Sequence, residues 1–165
     1  MNSLANVRLL VTDVDGVLTD DTFTYGTDGE KYRRWNHADG QGVLRLREAG
    51  VGTVFLTQEE SKDIERRAAA LNVMCIIGGT DKLAALEYWL TVQRTAFGNR
   101  YPDTLAHVAY IGNELNDLPV LQAVGFPFVP ANAWLEPDAG YQLTTNGGGG
   151  CLREVAERIL AERAP

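Results

Sequence analysis

The sequence predicts an α/β fold, a parallel sheet with helices on both faces and a small β-hairpin excursion, and three observations point there. From residue 51 onward, short Val/Ile/Leu-rich runs of strand length alternate with longer segments of helical length, the order expected of a parallel sheet built from βαβ units. At 165 residues and 45% hydrophobic content, the chain fills one core and is too short for two ordinary domains. No internal repeat or interdomain linker breaks the pattern, so residues 1–165 read as a single domain.

Residues 7–14, rich in Val and Leu, run straight into Asp13-Val14-Asp15-Gly16 and predict a buried first strand ending in an acidic turn. Two β-prone runs, Phe23-Thr24-Tyr25 and residues 31–35, flank Gly26-Thr27-Asp28-Gly29 and predict a hairpin. Asp39-Gly40 opens a short helix that closes at Gly50. Strands at 51–57, 73–77, 107–111 and 126–129 then alternate with helices at about 61–71, 81–97, 117–124 and 151–161. Four consecutive glycines at 147–150 are unsuited to the interior of any element.

Composition removes several function classes. A net charge of −7 argues against a non-specific nucleic-acid binder, which relies on many Lys and Arg contacts to phosphates. A local cation cluster can still govern one cleft for an anionic substrate. Cys75 and Cys151 are far apart and lack metal-ligand spacing, so neither a disulfide framework nor structural zinc is indicated. Residues 1–6 do not read as a signal peptide, and no apolar run reaches the ~18 residues of a membrane span. The expectation is a soluble cytoplasmic protein.

In an open parallel α/β sheet, ligands bind beyond the carboxyl ends of the strands. The residues predicted there are Asp13 and Asp15 after the first strand, Thr57 after the second, Lys82 near the helix after the third, and residues 113–117 after the fourth. Two carboxylates two residues apart repel each other, and a divalent cation is the usual reason to place them together. Mg²⁺ suits such a site because it takes a few oxygen ligands, substrate phosphate oxygens and retained waters. Phosphoryl transfer needs an in-line nucleophile and neutralisation of the phosphoryl oxygens, which a carboxylate, a lysine and a hydroxyl beside Mg²⁺ provide. Asp13 is the candidate nucleophile, and Asp15 the group that protonates the leaving alkoxide and then activates water.

Taken singly, these residues have plainer readings. An EF-hand loop would need an acidic residue and then Gly where this chain has Val17 and Leu18, and it would not follow a strand. Thr57 alone reads as a β-prone strand end, Asp81-Lys82 as a helix start, and residues 113–117 as turn and cap residues. Their ordered occurrence at successive strand ends favours the chemical reading.

With those residues in place, the chain resembles the haloacid dehalogenase-like phosphatase superfamily. DVDGVLTD at 13–20 is similar to its first motif, Thr57 to its second, Lys82 to its third, and GNELND at 112–117 to its fourth. YGTDGEKYRRWNHADGQGV, TDKLAAL and GGGGCLREVAERIL resemble the branch holding 3-deoxy-octulosonate 8-phosphate phosphatases, 9-phosphate phosphatases of nine-carbon keto acids, and domains fused to sialic-acid cytidylyltransferases. The resemblance implies a Rossmann-like sheet, a homotetramer, hydrolysis of a sugar-acid phosphate, and Mg²⁺ held by Asp13, the backbone carbonyl of Asp15 and Asn113. Asp117 is then expected to hold the surrounding water and lysine network. Two departures stand out: Asn113-Glu114 replaces the usual Asp-Asp, and Gln58 follows Thr57 where Gly is common. Glu59 and Arg67 match a Glu/Arg pair of the nine-carbon branch, which makes them candidate substrate contacts, although they also fit the charged face of a helix.

Only 41 residues lie between Asp15 and Thr57, and 24 between Thr57 and Lys82, which leaves no room for a substantial cap. A neighbouring subunit is then the expected lid, built from the 23–35 hairpin and the 147–150 tract. Arg33 and Arg34 read either as positive potential at a neighbour's cleft or as solvated surface. The competing class is a catalytically weak or inactive domain that assembles or regulates a sugar-acid cytidylyltransferase pathway, a reading favoured by Asn113 and opposed by intact Asp13, Asp15, Thr57 and Lys82. A signalling receiver domain fits less well, because its acidic pair and phosphoacceptor lie on different strands.

Overall fold

The computed structural model describes residues 3–136 and 138–163. Leu9–Thr12 (β1) forms the centre of a six-stranded sheet, because its residues face apolar partners on both sides. Leu9 and Val11 point to one face, Leu10 to the other, and all three are fully buried. Gly52–Thr57 (β4) repeats the alternation with Val54 and Leu56 against Phe55. Strands buried on both faces are continuous apolar runs for this reason.

Met74–Ile77 (β5) lies outside β4, and Val108–Ile111 (β6), Phe126–Val129 (β7) and Tyr141–Gln142 (β8) extend the other side in the order β5-β4-β1-β6-β7-β8, every pairing parallel. Helices His37–Glu48 (α1), Lys62–Leu71 (α2) and Cys151–Arg163 (α5) supply Leu46, Ile64 and Leu152 to the core on one face. Lys82–Phe97 (α3) and Leu118–Ala123 (α4) supply Leu86 and Leu121 to the core on the other. Thr24–Tyr25 (β2) and Lys31–Tyr32 (β3) pair antiparallel as the expected hairpin, apart from the main sheet. No helix among the described residues is long and apolar enough to cross a membrane.

Two elements depart from the sequence reading. Helix α1 begins at His37, ahead of Asp39-Gly40, because the Asn36 side chain accepts from the Ala38 N–H at 2.9 Å and caps it there. Strand β8 had no sequence signal: it is two exposed residues pinned beside β7, and its pairing comes from register alone.

One buried charge yields a stability prediction. Asp39, 3% exposed, accepts from the Arg153 N–H near the start of α5 at 3.0 Å, while its second carboxylate oxygen has no partner. Burial raises its pKa to about 6, against the pull of the Arg153 and Leu152 N–H groups and of Arg67. A carboxyl raised in the folded state destabilises the fold once ionised, so this cost grows as pH rises from about 4 to about 6, to roughly 3 kcal/mol. Asp39→Asn keeps an acceptor for Arg153 and removes the charge. Urea midpoints should therefore rise above the parent's across that window and stay above it at pH 7. Parallel midpoint curves would show that Asp39 carries no such cost.

Candidate active site

The chain crosses from β1 through β4 and β5 before returning beside β1 as β6, so the direction of winding reverses between β1 and β6. Clefts form at such a switch point, at the carboxyl ends of the strands. Asp13 follows β1 there, 6% exposed, its N–H donating to the Ile111 carbonyl at 2.9 Å. The N–H groups of Val17, Leu18 and Thr19 all converge on the Val14 carbonyl, which makes the tight turn that carries Asp15 and Gly16. Gly16 has φ +78°, and a Cβ on it would fall 2.0 Å from Asn113 Nδ2. Behind the turn, a Cβ on Gly147 would fall 2.1 Å from the Gly16 carbonyl oxygen, and Gly148 donates to the Val17 carbonyl at 2.9 Å. Within its own chain the glycine tract packs behind the acidic turn, where no side chain fits.

Thr57, the last residue of β4, is 2% exposed and its Oγ1 accepts from the Glu59 N–H at 3.1 Å. Lys82 is the first residue of α3, whose N-cap Asp81 accepts from the Ala84 N–H. Its Nζ lies 2.9 Å from Asp13 Oδ1 and 2.6 Å from Asp117 Oδ1. Asp117 is fully buried: Oδ2 accepts from the N–H groups of Asn113 at 2.9 Å and Glu114 at 3.1 Å, and Oδ1 also accepts from the Tyr110 hydroxyl. One lysine therefore faces two buried carboxylates. Burial alone would lower the Lys82 pKa, but Asp13 and Asp117 outweigh it and raise it. Burial and Asp117 together push the Asp13 carboxyl up to about 7 despite Lys82. Two buried carboxylates therefore face one ammonium, one negative charge more than Lys82 compensates.

The geometry shows where a further positive charge fits. One terminal atom of the Asn113 amide lies 3.0 Å from the Asp15 carbonyl oxygen and 3.3 Å from Asp13 Oδ2. With nitrogen in that place the amide donates to both oxygens. With oxygen there, the amide oxygen lies about 3 Å from the Asp15 carbonyl oxygen and from Asp13 Oδ2, close to the separation of adjacent ligands held at about 2.0–2.1 Å around an octahedral cation. Among the described residues no three His, Cys, Asp or Glu side chains form a metal cluster. The set consists instead of one carboxylate, one backbone carbonyl and one amide, all hard oxygen donors of the kind Mg²⁺ takes.

These residues open on a cleft of about 230 Å³, also lined by Asp21, Gln58, Glu59, Glu114 and Asn116. A larger hollow of about 320 Å³ lies at the amino ends of the strands, beside Arg8, Gly52 and Met74, with no carboxylate among its lining. Chemistry rather than size selects the first.

The structure brings Asp13, Asp15, Thr57, Glu59, Lys82 and Asn113 together around the cleft, with Asp117 beneath it. Arg67 is not among the residues lining this cleft: it donates to the Asn36 carbonyl at 3.3 Å and lies over the Trp35 ring, in a small apolar pocket. The hairpin provides a correction. Arg33 belongs to its own chain's cleft, where it pairs with Asp15, Glu59 and Asp63. Sequence reasoning also passed over Tyr110, whose place in an apolar strand gave no sign that its hydroxyl reaches Asp117.

A scan against protein-family models matches none. The 3-deoxy-D-manno-octulosonate 8-phosphate phosphatase of Yersinia pestis is 36% identical over 159 residues, which cover 94% of this chain and 81% of that protein. A crystal structure of the Yersinia pestis phosphatase superposes with a TM-score of 0.88 at 34% identity, covering 97% of this chain and 84% of the other. The 3-deoxy-D-manno-octulosonate 8-phosphate phosphatase of Moraxella catarrhalis, solved in complex with a magnesium ion, a phosphate ion and a KDO molecule, superposes with a TM-score of 0.83 at 30% identity over 97% of this chain and 89% of its own. By sequence and by fold, this chain belongs to the 3-deoxy-D-manno-octulosonate 8-phosphate phosphatase family of haloacid dehalogenase-like hydrolases.

Proposed function

We propose that this chain is a Mg²⁺-dependent phosphomonoesterase that hydrolyses 3-deoxy-D-manno-octulosonate 8-phosphate or a closely related sugar-acid phosphate through an aspartyl-phosphate on Asp13. The observation that carries the reading is Asp13 itself, buried at the switch point with Lys82 Nζ at one carboxylate oxygen and, beside the other, the Asn113 amide, which also reaches the Asp15 carbonyl. Asp13, the Asp15 carbonyl and Asn113 would hold Mg²⁺, which when bound would neutralise charge on the phosphoryl oxygens. An Asp13 carboxylate oxygen attacks phosphorus, the ester P–O bond breaks, and the Asp15 carboxyl gives its proton to the departing alkoxide. Asp15 then takes a proton from water, whose oxygen attacks the same phosphorus, and the Asp13–phosphorus bond breaks to release inorganic phosphate. Thr57 and Lys82 hold the phosphoryl oxygens, and Asp117 holds Lys82. Glu59, at the cleft wall, is a candidate substrate contact.

A phosphate-release screen with Mg²⁺ over eight-carbon 8-phosphate and nine-carbon 9-phosphate keto acids tests the reading, with the octulosonate ester expected to turn over fastest. Release from the nine-carbon ester alone would reassign the substrate. Release from neither, nor from p-nitrophenyl phosphate, would favour the assembly or regulatory domain, for which Asn113 is the supporting observation. The assembly we propose is a homotetramer, supported by the exposed Tyr25 and Tyr32 of the hairpin, and a fully active monomer in light scattering at assay concentration would overturn it.

Asn113 yields a metal prediction read without activity. A ligand set with one charged side chain binds Mg²⁺ less tightly than one with two, so Asn113→Asp should tighten Mg²⁺ about tenfold in calorimetric titration, and Asn113→Ala should weaken it by a similar factor. If neither substitution moves the affinity, Asn113 is not a ligand and Glu114 becomes the candidate.

A further inference from the structure

We infer that Arg33 is the positioning residue for Asp15, a role that rests on the proposed phosphatase chemistry and follows from the way the hairpin folds over the cleft. The Arg33 side chain has no solvent-exposed surface, whereas neighbouring Arg34 is 85% exposed. Its Nε donates to Asp15 Oδ1 at 2.8 Å and its Nη2 to Asp15 Oδ2 at 2.9 Å, a two-pronged contact that fixes the plane of the carboxylate as well as its position. The rest of the guanidinium is anchored by partners outside the reacting groups: Nη2 donates to Glu59 Oε2 at 2.6 Å, and Nη1 to Asp63 Oδ1 at 2.8 Å and Oδ2 at 2.9 Å. Lys31 Nζ, also from the hairpin, binds Glu59 at 2.8 Å and lies 3.4 Å from the Phe23 ring centroid.

The network sets three carboxylates against two cations, so no member is spare. On its own side Asp15 has one further side-chain donor, the Thr19 hydroxyl at 3.1 Å. Because Asp15 sits on a turn whose backbone is fixed by the Val14 carbonyl, its side-chain torsions remain to be set, and Arg33 sets them. Asp63, in the first turn of α2, holds Arg33 in place, which connects the hairpin and the helix to the acid/base group. Both prongs of the fork end on the carboxylate assigned the proton transfer, the geometry a positioning contact requires.

The two roles separate by leaving group. An alkyl alkoxide needs the Asp15 proton to depart, whereas p-nitrophenolate is a stable anion that leaves without one, and kcat/KM reports the chemistry only through phosphoenzyme formation. For Arg33→Met, kcat/KM for octulosonate 8-phosphate should fall about 10²-fold while that for p-nitrophenyl phosphate falls less than about threefold. Asp63→Asn leaves the Arg33–Asp15 pair in place with a weaker anchor, and should show the same asymmetry at about tenfold. This second variant keeps the test usable if Arg33→Met does not fold. Equal losses on the two esters, or a loss on neither, would overturn the positioning role while leaving the proposed function intact. An unsubstituted chain inactive on both esters would overturn the function and this role together.

Discussion

Asp13→Asn is expected to lower turnover of a sugar-acid phosphate at least about a thousandfold, because an amide oxygen is too weak a nucleophile to form the covalent intermediate. The loss should fall on kcat rather than on folding. Burial, with Asp117 adding to it, pushes the Asp13 carboxyl up to about 7. Its ionised form is therefore a burden on the fold above that pH, and the neutral isostere should be at least as stable at pH 8. Lys82 still finds an acceptor in Asp117 at 2.6 Å. Urea unfolding alongside steady-state kinetics separates the two effects. Ordinary turnover by a variant whose sequence and purity are verified would remove Asp13 from the nucleophile's place, and a large stability loss would mean that its charge supports the fold.

Lys82→Met should damage both stability and activity. Lys82 is 2% exposed and is shared by Asp13 and Asp117. Removing the cation leaves two buried carboxylates facing each other, with the Tyr110 hydroxyl still donating to Asp117. Breaking a buried pair from one side costs roughly 3–5 kcal/mol. The penalty should shrink at pH 6, where a proton can take the place of the ammonium, and shrink again when Mg²⁺ is added at pH 8. Turnover should fall by about 10²–10³, the usual cost of removing one preorganised group aimed at the transition-state charge. A loss of stability that ignores both pH and Mg²⁺ would point to lost packing of the lysine stem rather than to the charge balance.

The parts of the site that sequence made legible are those fixed by topology. A strand-rich run ending in Asp-x-Asp has one place to go in a parallel sheet, and Thr57, Lys82 and residues 113–117 follow by the same rule. The parts that were not legible depend on how side chains fold across the sheet edge. Arg33 and Arg34 are adjacent and chemically identical in sequence, yet one is sealed against three carboxylates and the other is solvated, because successive residues of an extended segment point to opposite sides. Three acids, Asp15, Glu59 and Asp63, around a single buried guanidinium would have been the available sign, and it required knowing that the hairpin folds back over its own chain. Tyr110 was hidden by the same alternation: Ala109 and Ile111 pack in one core while Tyr110 enters the other and reaches Asp117 from below. Arg67, a candidate substrate contact by family likeness, packs in its own chain in the Trp35–Asn36 corner, a neighbourhood that its helix periodicity does not reveal.

The most direct test of the account is a single-turnover reaction with Mg²⁺ and octulosonate 8-phosphate carrying radiolabelled phosphorus, quenched in acid and digested for mass analysis. A transient acyl-phosphate, labile to hydroxylamine, is expected on the peptide containing Asp13 and on that residue, absent from Asp13→Asn. Hydrolysis that proceeds with no labelled protein at any time, or with label on another residue, would contradict it.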